Sequence, residues 1–272
     1  MNVINTNISA LRATNASVMA GKMLGTSMER LSTGKRINSG ADDAAGLAIA
    51  SSMTAQIRGM SQGVRNANDG ISLAQTAEVA LNEVTNMLQR IRELAVQAGS
   101  GTYAETDRDN MQAEVDGLTA QIGRVVDNTT FNGVNLFDGS ADDITVMAGS
   151  SAVDTVVLTL DDLTGLEAVS GFDVSDIDGT AARAALTDID KDIASILATR
   201  AMLGASQNVL QSAVNNLTNL STNLSDARSR IMDTDYSAET SALAKAQILG
   251  QASIAMLAQA NQSQQNVLTL LR

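Results

Sequence analysis

Proline, cysteine, histidine and tryptophan are all missing from these 272 residues, and only two Tyr and three Phe are present. Average usage near ~5% would give a chain of this length about thirteen prolines. Without cysteine there is no disulfide framework, and without Cys and His there is no zinc site of the usual kind. The commonest general base and the thiol nucleophile are missing too, which argues against an enzyme. No apolar run reaches the ~18 residues that a membrane helix needs. Met1 to Ala10 shows neither the basic nor the apolar region of a secretory signal, so any way out of the cell is expected to leave no such peptide behind. No basic patch carries interleaved aromatics, which argues against nucleic-acid binding.

Charge is present but unevenly placed. The net charge is −12. Residues 138–180 hold ten acids and no Lys or Arg, so the remaining 229 residues net only −2. An acidic module on a nearly neutral scaffold follows. Within it, Asp176-Ile-Asp178-Gly179 has the look of part of a calcium loop. An EF-hand would need an acid at position 174, which is Val, and a Glu at 185, which is Ala. A solvated loop is the better reading, and no metal site is expected.

Residues 181–272 organise the rest. They contain two glycines, Gly204 and Gly250. Ile189, Ile196, Leu203, Leu210, Leu217, Leu224 and Ile231 recur every seven residues over 43 positions. Such a repeat keeps one seam of a helix facing a partner. The companion register is mixed: Ile193, Arg200, Gln207, Val214, Ser221, Arg228. Its polar members Arg200, Gln207, Ser221 and Arg228 are candidates for contacts between subunits.

The partners come earlier. A three-and-four spacing from Ala50 through Met60 and Ala74 to Ala95 predicts a helix over about 43–98. Ser39 with Asp42 reads as its capping box. Thr102 with Glu105 reads as another, opening a third helix over about 104–128. Asn132-Gly133 predicts a tight turn, and Ile144–Met147 and Thr155–Leu160 predict strands. The two ends are helical but thinly striped: Ile4, Ile8, Leu11, Leu24, Met28 and Leu31 at the start, and Leu243, Ile248, Leu249, Ile254, Met256 and Leu257 in a helix over about 237–268. Such segments are expected to order only against partners. The expected fold is mainly α: a long antiparallel helical bundle or coiled coil built from the N- and C-terminal halves, with a small β-hairpin region mid-chain. Residues 1–40 with 234–272 should form one discontinuous domain of terminal helices. Residues 41–233, including the β-rich acidic segment 130–180, should form the other.

Several stretches together resemble bacterial flagellin. They are VINTNISAL (Val3 to Leu11), ERLSTGKRINSGADDAAGLAIA (Glu29 to Ala50), RNANDGISLAQTAEVALNEV (Arg65 to Val84), LQRIRELAVQA (Leu88 to Ala98), FNGVNLF (Phe131 to Phe137), SDARSRIMDTDYSAET (Ser225 to Thr240) and AQANQSQQNVLTLLR (Ala258 to Arg272). The likeness covers nearly all of residues 1–140 and 181–272. It implies a subunit that polymerises into the extracellular flagellar filament for motility, with the terminal helices lining the inner tube. It implies export, unfolded, through the flagellar type III system, and an export chaperone, a filament cap and hook-junction proteins as partners. Only about 40 residues separate Phe137 from Thr180, so the outer variable domains of longer relatives are missing. In some flagellins the stretch matching Gln89 to Gln97 meets the host Toll-like receptor 5. Arg90, Leu94 and Glu114 match the contacting residues, and packing is the competing role for them. O-glycosylation of Ser and Thr in 140–180 is a further expectation of the resemblance. The hook–filament junction protein shares these termini and is the runner-up. A chemoreceptor-like signalling coiled coil would explain the heptads but not the Asn-Gly turn.

Overall fold

The computed structural model describes residues 6–140, 143–176 and 179–269, the last five by backbone only. Ile4 and Leu270 to Arg272, and Asp178 of the calcium-like loop, lie outside the described residues. The chain divides into two compact units. One comprises residues 1–55 and 223–272, the other residues 56–222.

In the first unit, α1 (Ile8–Thr33) begins at Asn7, whose side chain accepts a hydrogen bond from the Ala10 amide, and ends at Gly34 in the left-handed conformation. That is the usual division of labour between a polar N-cap and a C-terminal glycine. It pairs with α6 (Tyr236–Thr269). The seam between them is not the stripe of large side chains the spacing suggests. Ala13, Ala20 and Ser27 are buried on α1, and Ala246, Ser253 and Ala260 on α6, each set spaced by seven. Small side chains let two helices approach closely, and the large apolar residues are thereby turned outward. The Asn7 amide donates to the Ala260 carbonyl at 3.0 Å near one end of the pair, and Arg30 and Glu239 form an ion pair at 3.6 Å near the other.

Helix α2 (Ala44–Ala98) and α5 (Thr180–Met232) each contribute residues to both units. At 53 residues α5 is about 80 Å long. The start of α2 corrects the expected capping box. Asp42 accepts from the Asn38 and Ser39 amides and closes a turn ahead of the helix, while the Asp43 carboxylate caps it through the Gly46 amide at 2.8 Å. Likewise α3 (Glu105–Asn128) begins three residues beyond Thr102. Ala104 stands at its N-cap and Asp107 reaches back to the Ala104 amide, while Thr102 shares a hydrogen bond with Ser100.

The core of the second unit lies among α2, α3 and α5. Leu81, Val84, Leu88 and Ile91 of α2 meet Val115, Ile122 and Val126 of α3 and Ile189, Ile196, Leu203 and Leu210 of α5. After α3 come β1 (Thr130–Phe131) and β2 (Val134–Asn135), joined by Asn132 and Gly133, both with positive φ, as a tight hairpin turn requires. β3 (Asp143–Met147) and β4 (Thr155–Thr159) pair antiparallel with Val146 opposite Val156. Val146 and Leu158 point into the core. The tip of this hairpin rests on glycines of α2: a Cβ on Gly63 would sit 2.7 Å from the Gly149 amide nitrogen. The short α4 (Glu167–Ser170) precedes α5.

Candidate functional site

The surface that most needs explaining is apolar and in the first unit. On α1, Ile8, Leu11, Val18, Met19, Met23 and Met28 are exposed, and on α6 Ile248, Ile254 and Met256 are exposed by more than 60%. Scattered exposed apolar residues are ordinary, but a run of them along two paired helices is the mark of an interaction surface. It follows directly from the small-residue seam: alanine and serine are buried between these helices, Leu24, Leu31, Leu243 and Leu257 are half-buried, and most of the other large apolar side chains stay exposed.

The heptad on α5 divides in two. Ile189, Ile196, Leu203 and Leu210 are fully buried, whereas Leu217, Leu224 and Ile231 are half-buried. In the companion register, Arg200, Gln207, Ser221 and Arg228 are half-buried. Two of these make bonds within the chain. The Gln207 amide donates to Glu78 at 3.1 Å, and the Arg228 guanidinium donates to the Thr54 hydroxyl at 3.4 Å.

Arg90 and Glu114 come together on the surface. The Arg90 Nε donates to Glu114 at 2.8 Å, and its other arm reaches Glu93 at 3.0 Å. Both carboxylates hold the guanidinium protonated, Glu114 foremost. Leu94 lies in the core, 3% exposed. Two residues along α2, Arg92 pairs with Asp190 of α5 at 2.7 Å and keeps that carboxyl below its usual range.

Four polar groups that periodicity does not single out hold the irregular segment and the helix ends. Gln112 donates to the Phe172 carbonyl and accepts from the Val174 amide, at 2.8 and 2.7 Å. Its amide thus serves the extended 172–174 segment as a neighbouring strand would. Buried Arg108 donates to the carbonyls of Ala98 and Ser100, at 3.0 and 3.2 Å, and closes the C-terminal end of α2. Asp192 is 6% exposed and accepts from the Ala168 amide at 2.8 Å. Two turns of α5 further on, buried Thr199 bonds to Asp161. A polar residue interrupting an apolar seam is the only signal for the last two.

Burial raises the Asp192 carboxyl above its ordinary value of 3.8. A raised native pKa means the folded chain binds more protons than the unfolded one between the two values. The associated stability is full below pH 3.8 and is lost as pH rises through the native pKa. Asp192→Asn should lack this loss. Its stability relative to the parent should therefore climb across that window and level off above it, as urea unfolding at successive pH values will test. Parallel profiles for the two proteins would contradict the assignment.

Comparison with known proteins places this geometry. Residues 4–142 match the bacterial flagellin N-terminal helical region, and residues 186–271 match the bacterial flagellin C-terminal helical region. The chain belongs to the bacterial flagellin family. It is 43% identical to flagellin from Halalkalibacterium halodurans over 99% of this chain and all of that one. It is 40% identical to Bacillus subtilis flagellin over 99% of both chains. The crystal structure of Bacillus cereus flagellin covers 60% of this chain and 94% of its own, with a TM-score of 0.52 and 32% identity. As a flagellin, the chain is a structural component of the extracellular filament, and no described helix is long and apolar enough to cross a membrane. End-to-end alignment with the Halalkalibacterium flagellin agrees with a short form that lacks outer domains.

Proposed function

We propose that the exposed apolar faces of α1 and α6 are the surfaces through which this flagellin polymerises with copies of itself. The observation that carries this reading is the outward placement of Leu11, Met19, Met23, Ile248, Ile254 and Met256 on helices whose fully buried contacts with each other are alanine and serine. A head-to-tail interface that does not close generates a helical filament. The terminal helices, 1–40 with 234–272, form the inner tube of that filament, and residues 41–233 surround it. Arg200 and Ser221, with Gln207 and Arg228 beside them, meet neighbouring subunits along the filament. Helices that gain most of their burial from neighbours stay labile in the free subunit, which restrains premature polymerisation and suits passage through a type III export channel. The export chaperone then covers the C-terminal segment, the cap receives the subunit at the distal tip, and hook-junction proteins anchor the first turn. The role is structural and not catalytic. Free subunits present Arg90 and Glu114 to Toll-like receptor 5, with Leu94 supporting them from below.

Removing residues 1–40 and 234–272 is expected to abolish polymerisation. The experiment adds truncated and full-length protein to filament seeds and follows elongation by light scattering and electron microscopy. Circular dichroism checks that the helices of residues 56–222 persist. Native-looking filaments from the truncated protein would refute the reading. A short junction zone in place of long filaments, from the full-length protein, would favour a hook–filament junction role.

A further inference from the structure

The two places where the helical pattern breaks, after Thr33 and after Met232, lie against each other. The Arg36 amide donates to the Met232 carbonyl at 2.7 Å, and the Thr234 amide donates to the Gly34 carbonyl at 3.0 Å. They frame an antiparallel bridge between Lys35 and Asp233. The Arg36 side chain adds a bond at 2.8 Å to the Ile231 carbonyl, one of the acceptors left open where α5 ends. Beside the bridge, Ile37 is 2% exposed, and a Cβ on Gly46 would come within 2.7 Å of it. Asp235 caps α6 through the Ser237 amide at 2.9 Å. The ends of α1 and α5 and the start of α6 are thus tied by backbone bonds, not by the soft apolar contacts that serve the rest of α1 and α6.

We propose that segments 34–37 and 231–234 form a clasp that closes before α1 and α6 pair and sets the register of that pairing. The physical reason is loop closure. With the clasp shut, Thr33 and Tyr236 are near neighbours, and each further turn of α1 and α6 closes only a short added loop. With the clasp open, the two helices would have to find one of several registers, because a seam of alanine and serine spaced by seven discriminates weakly against a shift by seven. The inference uses the polymerisation reading only as one of its two readouts.

The natural absence of cysteine makes a clean test available. The residues of such a bridge face each other across a pair not bonded to one another, with Cα atoms about 4.5 Å apart, within disulfide range. Both are exposed, so Lys35→Cys with Asp233→Cys leaves the core untouched. In seeded elongation the oxidised double variant should grow at least as fast as its reduced form. Arg36→Ala should grow about five- to tenfold more slowly than the parent, the effect of losing one charge-assisted bond. Hydrogen exchange on the full-length free subunit gives the independent readout: the Arg36 and Thr234 amides should be better protected than amides in the middle of α1. An oxidised subunit that cannot polymerise while its reduced form does, or α1 amides protected more than the clasp amides, would overturn the clasp. If the unmodified protein fails to elongate seeds, the polymerisation reading falls, and the exchange result alone decides the clasp.

Discussion

Alanine at Gly63 is expected to destabilise the protein by about 2 kcal/mol, while alanine at Gly117 is expected to stabilise it by about 1 kcal/mol. Both positions are interior to helices, and helix propensity alone favours alanine at both. The difference lies in what the new methyl group meets. At Gly117 nothing stands within 4 Å of an added Cβ. At Gly63 the Cβ would lie 2.7 Å from the Gly149 nitrogen, 3.1 Å from the Gly149 Cα and 3.2 Å from the Ala148 carbonyl carbon. All three are backbone atoms, so no side chain can swing aside. Relief requires the tip of the β3–β4 hairpin to back away from α2. Val146 would then leave its place over Gly70, where an added Cβ would lie 3.0 Å from its Cγ2, and Leu158 would lose part of its complete burial. Urea midpoints for the two variants should move in opposite directions. Amide exchange over 143–159 should quicken in the Gly63 variant alone. A shift of the same sign at both positions would show that the hairpin is not seated on the helix as described.

The long helices are legible because their signal is strong and local. Ala50 to Ala95 and Ile189 to Ile231 carry an apolar step through many turns, and helices appear at Ala44–Ala98 and Thr180–Met232. Asn132-Gly133 marks its turn because two positive φ values in succession suit few residue pairs. What periodicity misreads is the polarity of the terminal pair. Leu11, Met28, Ile248 and Ile254 look like core because they are large and helically spaced, yet the contact is made by Ala13, Ala20, Ser27, Ala246, Ser253 and Ala260. Alanine and serine are so common in this chain that their seven-residue spacing does not stand out. The caps are ambiguous for a related reason. Several adjacent residues, Ser39, Asp42 and Asp43, could each start α2, and only the path of the backbone chooses among them. Gln112, Asp192 and Arg108 leave no local signal because their partners lie 8 to 62 residues away in sequence. No spacing rule covers a side chain that serves a loop.

Arg108 carries the second large expectation. Among the described residues it is the buried cation, 3% exposed, at a point where two chain segments end. At the end of α2 the Gly99 and Ser100 amides serve the Ala95 and Gln97 carbonyls, and residues 99–104 turn the chain into α3. Arg108, in the first turn of α3, returns Nε to the Ala98 carbonyl and a terminal nitrogen to that of Ser100. The planar fork of donors suits two carbonyls that lie close together, and its charge lies at the negative end of the α2 dipole. Arg108→Ala removes the donors and leaves a space beside Ala98, which is itself fully buried. The expected cost is about 3–5 kcal/mol, from the loss of buried hydrogen bonds together with a cavity. Arg108→Lys should restore part of it, because an ammonium keeps the charge yet cannot present the same fork. Chemical unfolding of the three proteins at one pH, with equal denaturant slopes, measures both steps. If Arg108→Met matches the parent, the residue serves only as packing, and the turn between α2 and α3 is held by its backbone alone.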